Sequence, residues 1–312
     1  MKFVKLKQLK NRLLKYYVER FIFKVRKDEW CFAPIYGIGD TYLILSLLTA
    51  FKQQNGGGKI RLILTQPSHT ALLKLFPDVV NIMILVDLDW LRIIPVKTAL
   101  SKGTTIIFSC LCFFRNAMVS LLGYKNMTIN EVYKIMLNIA VTTPNAKPVI
   151  PSEVSEAGTK RFDSYGLPKQ NTVLLAPHAN TVNEQSLPLV FWTDLIRFLL
   201  DNQYQVAILS NDTVYQISDE VKPVFFPLDE AIPFCEQCGY LVSIRSGLCD
   251  LVSTADCEKI VLYPKNQPNS RNIAQWSSIV NMGIAGEKVY EYNYDAQHIE
   301  ELTLVVKNKL KR

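Results

Sequence analysis

Short apolar runs alternate with helix-like periods twice along this chain, and three prolines within eight residues, Pro144, Pro148 and Pro151, separate the two series. Before the prolines, residues 30–35, 60–65, 81–86 and 104–110 read as strands, with helices over 43–51, 69–75 and 130–141. After them, 172–176, 205–210, 240–243 and 259–263 read as strands, with helices over 189–202, after Asp229 and from about Leu248. Continuous apolar runs bounded by turns suit strands buried on both faces, and their alternation with helices is the pattern of parallel βαβ units. At 312 residues the chain is about twice a typical domain. The expected fold is therefore α/β: two Rossmann-like domains, 29–148 and 149–312, facing a central cleft and joined by the extended linker TTPNAKPVIPSEV.

Charge is concentrated at one end. Residues 1–27 carry ten of the 35 Lys and Arg and only one of the 28 acids, Glu19, so the remainder holds 25 basic and 27 acidic residues. A nearly neutral body argues against nucleic acid as a partner, because phosphate-backbone binding spreads basic residues over the recognition surface. Within the basic segment Phe3, Leu6, Leu9, Leu13, Tyr16 or Tyr17, and Phe21 recur at spacings of three and four. That period predicts a basic amphipathic helix over 1–28, lying on an anionic membrane surface or packed against the body; otherwise the segment is disordered or cleaved. Near an anionic surface each basic contact is worth about 1 kcal/mol. The segment is too interrupted by charge to span a bilayer, and the run 79–96 contains Asp87, Asp89 and Arg92, so no transmembrane helix is expected.

Seven cysteines, an odd number at low density, suit a reducing cytoplasm. Cys235 and Cys238 form a CxxC pair, but the next two, Cys249 and Cys257, are eight apart, which is unlike a four-thiolate zinc site. They read as small core residues, and neither a metal nor a cofactor is expected.

Three segments carry candidate chemistry. YGIGDT places Gly37 and Gly39 between a buried strand and a helix, where backbone can approach a ligand closely, and sets Asp40 at the helix start. Asp40 there acts as a helix cap or as a general base. GIGD lacks the third glycine of a dinucleotide fingerprint and the lysine of a P-loop. The second segment, LLAPHANTVNEQSLP, follows a strand with a run of polar residues, of which His178, Asn180, Asn183 and Glu184 suit phosphate or sugar hydroxyls; otherwise it is a surface loop. In the third, LVSIRSGLCDLVS, Ser246 and Gly247 open a helix whose amides suit a pyrophosphate, Arg245 offers a bidentate fork, and Asp250 lies one turn on. The alternative for Arg245 is a salt bridge at a strand end. Ser210 and Asn211 end another strand and suit the same cleft.

Taken in order, GIGDT, APHAN, ILSN and VSIRSGLCDLVSTA resemble the glycosyltransferase family 9 heptosyltransferases over most of residues 30–265. The resemblance implies a GT-B fold and inverting, metal-independent transfer of a sugar to the inner core of bacterial lipopolysaccharide at the cytoplasmic face of the inner membrane. It implies Asp40 as catalytic base, and His178, Asn180, Ser246 and Gly247 as ligands of the diphosphate of an ADP-heptose donor. The chain departs from the family in two places. Asn183 and Glu184 stand where a basic residue is usual, and RSGLCD replaces the usual DSGLxH. An arginine beside a phosphate-binding helix is also similar to fucosyltransferases, so the donor expected is ADP-heptose-like or a GDP-sugar. The partners expected are this nucleotide-sugar donor, a glycan or glycolipid acceptor and an anionic membrane surface. The competing readings are a catalytically inactive scaffold of the same fold and a nucleotide-sugar epimerase, which would turn over donor without an acceptor.

Overall fold

The computed structural model describes residues 12–35, 37–94, 100–108, 127–179, 187–264, 276–294 and 298–311. Contacts divide the chain into two units, Met1–Val149 and Ile150–Arg312.

The first unit is built on four parallel strands, β1 (Trp30–Pro34), β2 (Ile60–Leu64), β3 (Ile82–Leu85) and β4 (Thr105–Phe108), in the order β3-β2-β1-β4. Every residue of β1, β2 and β4 is buried, which explains why they read as unbroken apolar runs. Helix α1 (Ile38–Gln54) follows β1 and is buried on nearly every side from Thr41 to Leu48, so it shows little amphipathic pattern. Phe51 on α1 and Phe108 on β4 meet Phe32 edge-on, with ring centroids 5.1 and 5.8 Å away. The segment expected as a helix near His69 is a 3-10 helix, Pro67–Leu75, with proline in its first turn. Short α2 (Leu88–Ile93) and α3 (Ile129–Met136) complete the unit, α3 being started by a capping box between Thr128 and Glu131.

The basic N-terminal helix departs from expectation. Residues 1–11 lie outside those described; residues 12–17 are α-helical, and Val18–Ile22 widen into a π turn that ends before residue 28. The turn sends Val18 and Phe23 into the core and carries Glu19 inward, where its Oε1 accepts a 2.8 Å hydrogen bond from the Thr105 amide at the start of β4. Leu13, Tyr16, Tyr17 and Phe21 remain 62, 59, 50 and 61% exposed, so the described part of the predicted apolar face points outward while Val18 and Phe23 pack inward; Phe3, Leu6 and Leu9 lie outside the described residues. The Pro-rich segment is also more constrained than a free linker. The Asn145 side chain donates to Ser46 Oγ at 2.7 Å and to Asn130 Oδ1 at 3.1 Å, and the Val149 amide donates to the Leu75 carbonyl. Helix α4 (Ser152–Ser164) begins three residues later.

The second unit contains six parallel strands, β5 (Thr172–Ala176), β6 (Gln205–Ile208), β7 (Val221–Pro223), β8 (Gly239–Ile244), β9 (Glu258–Pro264) and β10 (Val289–Tyr294). Their order, β10-β9-β8-β5-β6-β7, runs outward in both directions from the β5/β8 pair, the doubly wound arrangement of nucleotide-binding sheets. Helix α5 (Leu189–Asp201) buries Phe191, Trp192, Leu195, Ile196 and Leu199 on one face of the sheet. Helix α6 (Ala231–Cys238) packs against α4 through Gly158, where an added Cβ would stand 2.6 Å from Pro233 Cγ. Short α7 (Gly247–Leu251) follows β8, and α8 (Ile299–Lys309) closes the chain, tied down by Tyr204 Oη donating to the Leu310 carbonyl at 2.8 Å. The sequence pattern missed β7, β10, α4 and α8.

Candidate active site

In each unit the connections leave the first strand and its switch neighbour in opposite directions, and ligands of open parallel sheets bind where this happens, beyond the carboxyl ends of the strands. In the first unit that place lies after β1, beside β4. The Ile35 amide donates to the Phe108 carbonyl at 3.0 Å, carrying the pairing one residue beyond β1. The chain then turns through Gly37, which is extended at φ −128° and ψ 158°, into α1.

Asp40 is in the first turn of α1, where the helix dipole favours a negative charge. Tyr133 Oη, from α3, donates to Asp40 Oδ1. The Tyr133 ring is fully buried and meets Phe108 edge-on at 5.4 Å. An ideal Cβ on Gly37 would lie 3.6 Å from Asp40 Oδ2, so the missing side chain keeps the approach to that oxygen open. Behind the turn, Thr41 Oγ1 lies 2.9 Å from His69 Nδ1 and 3.3 Å from the Gly37 carbonyl. Burial pushes the His69 imidazole below its ordinary range, which keeps it neutral at pH 7. Tyr133 and His69 were absent from the sequence reading because nothing local marks them; Gly39 is buried in the helix start.

In the second unit the corresponding ends of β5, β6 and β8 gather most of the remaining candidates. His178, two residues beyond β5, brings Nε2 to 3.1 Å from Oγ of Ser210, two residues beyond β6. Ser210 Oγ also accepts from the Asp212 amide at 3.1 Å, and the His178 ring lies 5.5 Å from Tyr215, edge-on. Asn211 is exposed beside them. Asn180, Asn183 and Glu184 fall outside the described residues.

At the end of β8, Ser246 is the half-buried N-cap of α7, with Gly247 opening the helix. Arg245 does not present the expected open fork. Its Nε donates to the Ser277 carbonyl at 2.7 Å, Nη1 to the Ser246 carbonyl and Nη2 to Asp250 Oδ1 at 2.6 Å. Burial opposes its charge, but the Asp250 carboxylate beside it holds the guanidinium above its usual range. Arg245, just beyond β8, and Asp250, within α7, thus satisfy one another beneath the turn, and both are buried. Ser277 belongs to the same network: its carbonyl lies 3.4 Å from Tyr263 Oη, which donates at 2.5 Å to Glu291, and Glu291 also accepts from Ser278 Oγ at 2.5 Å and the Ile279 amide at 2.8 Å.

Among the described residues no group of His, Cys, Asp or Glu has the arrangement to hold a metal ion. Cys235, Cys238 and Cys257 are buried, and burial raises their thiols, Cys257 to about 11. A groove of about 600 Å³ between α5 and α8 is lined by the acids Asp194, Glu300 and Glu301 together with Lys307 and His298.

Two parallel α/β sheets of this connectivity are the architecture of GT-B glycosyltransferases. No family model matches the sequence, and no curated protein matches it. Among solved structures, the chain is similar to Escherichia coli ADP-heptose LPS heptosyltransferase II, with a TM-score of 0.58 at 13% identity over 90% of this chain and 100% of that one. It is similar to E. coli heptosyltransferase WaaC with ADP, at 0.57 and 14% over 90% and 98%. It is also similar to the family 9 glycosyl transferase of Veillonella parvula, at 0.57 and 11% over 92% of each chain. At such identities the likeness establishes the fold: this chain has the fold of the heptosyltransferases. No helix among the described residues is long and apolar enough to cross a membrane.

Proposed function

We propose that this protein is a glycosyltransferase that moves a sugar from a nucleoside-diphosphate donor, ADP-heptose-like or a GDP-sugar, to a lipopolysaccharide or other surface-glycan acceptor. The observation that carries the reading is Asp40: a carboxylate held in the first turn after the switch-point strand, in a fold shared with heptosyltransferases.

In the reaction, the acceptor hydroxyl gives its proton to Asp40 while its oxygen attacks the anomeric carbon. The bond from that carbon to the β-phosphate oxygen breaks, and its electron pair leaves with the nucleoside diphosphate. Attack opposite the leaving group inverts the anomeric configuration. The developing charge is met by the amides at Ser246 and Gly247 and by the His178–Ser210 pair, an electrostatic role that needs no metal. Arg245 serves this site from below, fixing the turn through Ser246, Ser277 and Asp250. The exposed Leu13, Tyr16, Tyr17 and Phe21, set among basic residues, support contact with an anionic membrane at its cytoplasmic face.

The test is a thermal-shift series with ADP, GDP, UDP and CMP, followed by transfer assays with the sugar of the nucleotide that binds. One nucleotide raises the melting temperature of the native protein and not of His178→Ala. Asp40→Asn retains that shift but transfers at least a hundredfold more slowly, the usual scale for a lost general base. Absence of stabilisation by any nucleotide would overturn the proposal.

A further inference from the structure

We infer that Tyr133 is the positioning residue of Asp40: its hydroxyl fixes the carboxylate plane and holds the group ionised, an inference that rests on Asp40 as general base.

The approach of Tyr133 is determined from several sides. Helix α3 is locked at its start by the reciprocal Thr128 and Glu131 bonds, and at Asn130 by Asn145. At its end Lys134 Nζ donates to the Val141 carbonyl at 3.1 Å. The ring itself is seated against Phe108, the last residue of the strand paired with β1. A phenylalanine would fill this fully buried position without desolvating a hydroxyl, so the hydroxyl is justified by its partner. That partner is a carboxylate, and a donor to a carboxylate stabilises its ionised form. With Oδ1 engaged by Tyr133, Oδ2 lies on the Gly37 side of the turn. Among the described residues His69 is also brought here, joined through Thr41 and neutral by burial, while Glu131 is directed to Thr128.

The experiment follows the carboxyl carbon of Asp40 by NMR in full-length protein labelled at aspartate, with the signal assigned by its loss in Asp40→Asn. In Tyr133→Phe the Asp40 titration is expected to move up by about one pH unit, since hydrogen bonding to the charged form lowers a carboxyl pKa. The acid limb of kcat moves by the same amount, with KM little changed. An unmoved titration overturns the inference even if transfer is lost. A moved titration in a protein that transfers no sugar upholds Tyr133 and instead removes Asp40 from the role of base. Should Tyr133→Phe not fold, 3-fluorotyrosine placed at 133 keeps the ring and makes a stronger donor. Asp40 then titrates lower, and no movement there counts equally against the inference.

Discussion

The guanidinium of Arg245 donates to the carboxylate of Asp250 at 2.6 Å, with 9% and 4% of the two side chains exposed. A pair so buried is costly to break and contributes little compared with an apolar pair of the same shape. Asp250→Ala leaves the cation without its partner, and unit two is expected to lose about 3–5 kcal/mol in urea unfolding. The double replacement Arg245→Met with Asp250→Leu recovers part of that loss, because neither charge is then buried, the remainder reflecting the Ser277 and Ser246 carbonyls that lose their donor.

Gly158 sets the distance between α4 and α6. A methyl group there would meet Pro233 Cγ at 2.6 Å and the Glu230 carbonyl at 3.2 Å, and a proline ring cannot rotate away. The overpacking cost of about 1–3 kcal/mol exceeds the roughly 1 kcal/mol that alanine gains in a helix. Gly158→Ala is therefore expected to lower the denaturation midpoint, whereas a gain in stability would show that the two helices separate freely.

Glu19 and Phe21 stand two residues apart and separate two roles of the N-terminal segment. Glu19→Ala removes the acceptor of the buried Thr105 amide, and should cost about 1–3 kcal/mol and speed hydrogen exchange at Thr105. The exposed Phe21 is expected to change stability by less than about 0.5 kcal/mol when replaced by serine. Phe21→Ser together with Leu13→Ser should reduce flotation with vesicles containing anionic lipid, and unchanged flotation would assign these residues no lipid contact.

His69 makes stability fall in acid. Its folded pKa lies below the unfolded value of about 6.5, so below that pH the unfolded chain takes up a proton that the folded chain does not. Its contribution is complete above about pH 6.5 and declines, by up to about 1.4 kcal/mol per pH unit, until the folded pKa is reached. His69→Gln should flatten this part of the urea midpoint profile between pH 7 and 5 while leaving a side-chain partner for Thr41.

Much of the fold is legible in local pattern. Trp30–Pro34, Ile60–Leu64 and Thr172–Ala176 read as strands because burial on both faces leaves them uniformly apolar, and Leu189–Asp201 reads as a helix because one face alone is buried. Val289–Tyr294 is a half-buried edge strand with polar residues along it, and Val221–Pro223 is too short for a period, so neither stood out. Helix Ser152–Ser164 was concealed by the prolines before it and by its largely polar surface.

The glycine turn with Asp40 and the polar ends near His178, Ser210 and Ser246 belong to the sequence itself, since turn chemistry after an apolar run is a local property. Only the tertiary structure decided that Tyr133 reaches Asp40 across 93 residues, that His178 meets Ser210 across 32, and that Arg245 turns inward to Asp250. Periodicity records how each segment meets the core, whereas those partnerships depend on which strands lie side by side, and the order of a parallel sheet is settled by the packing of its crossover helices.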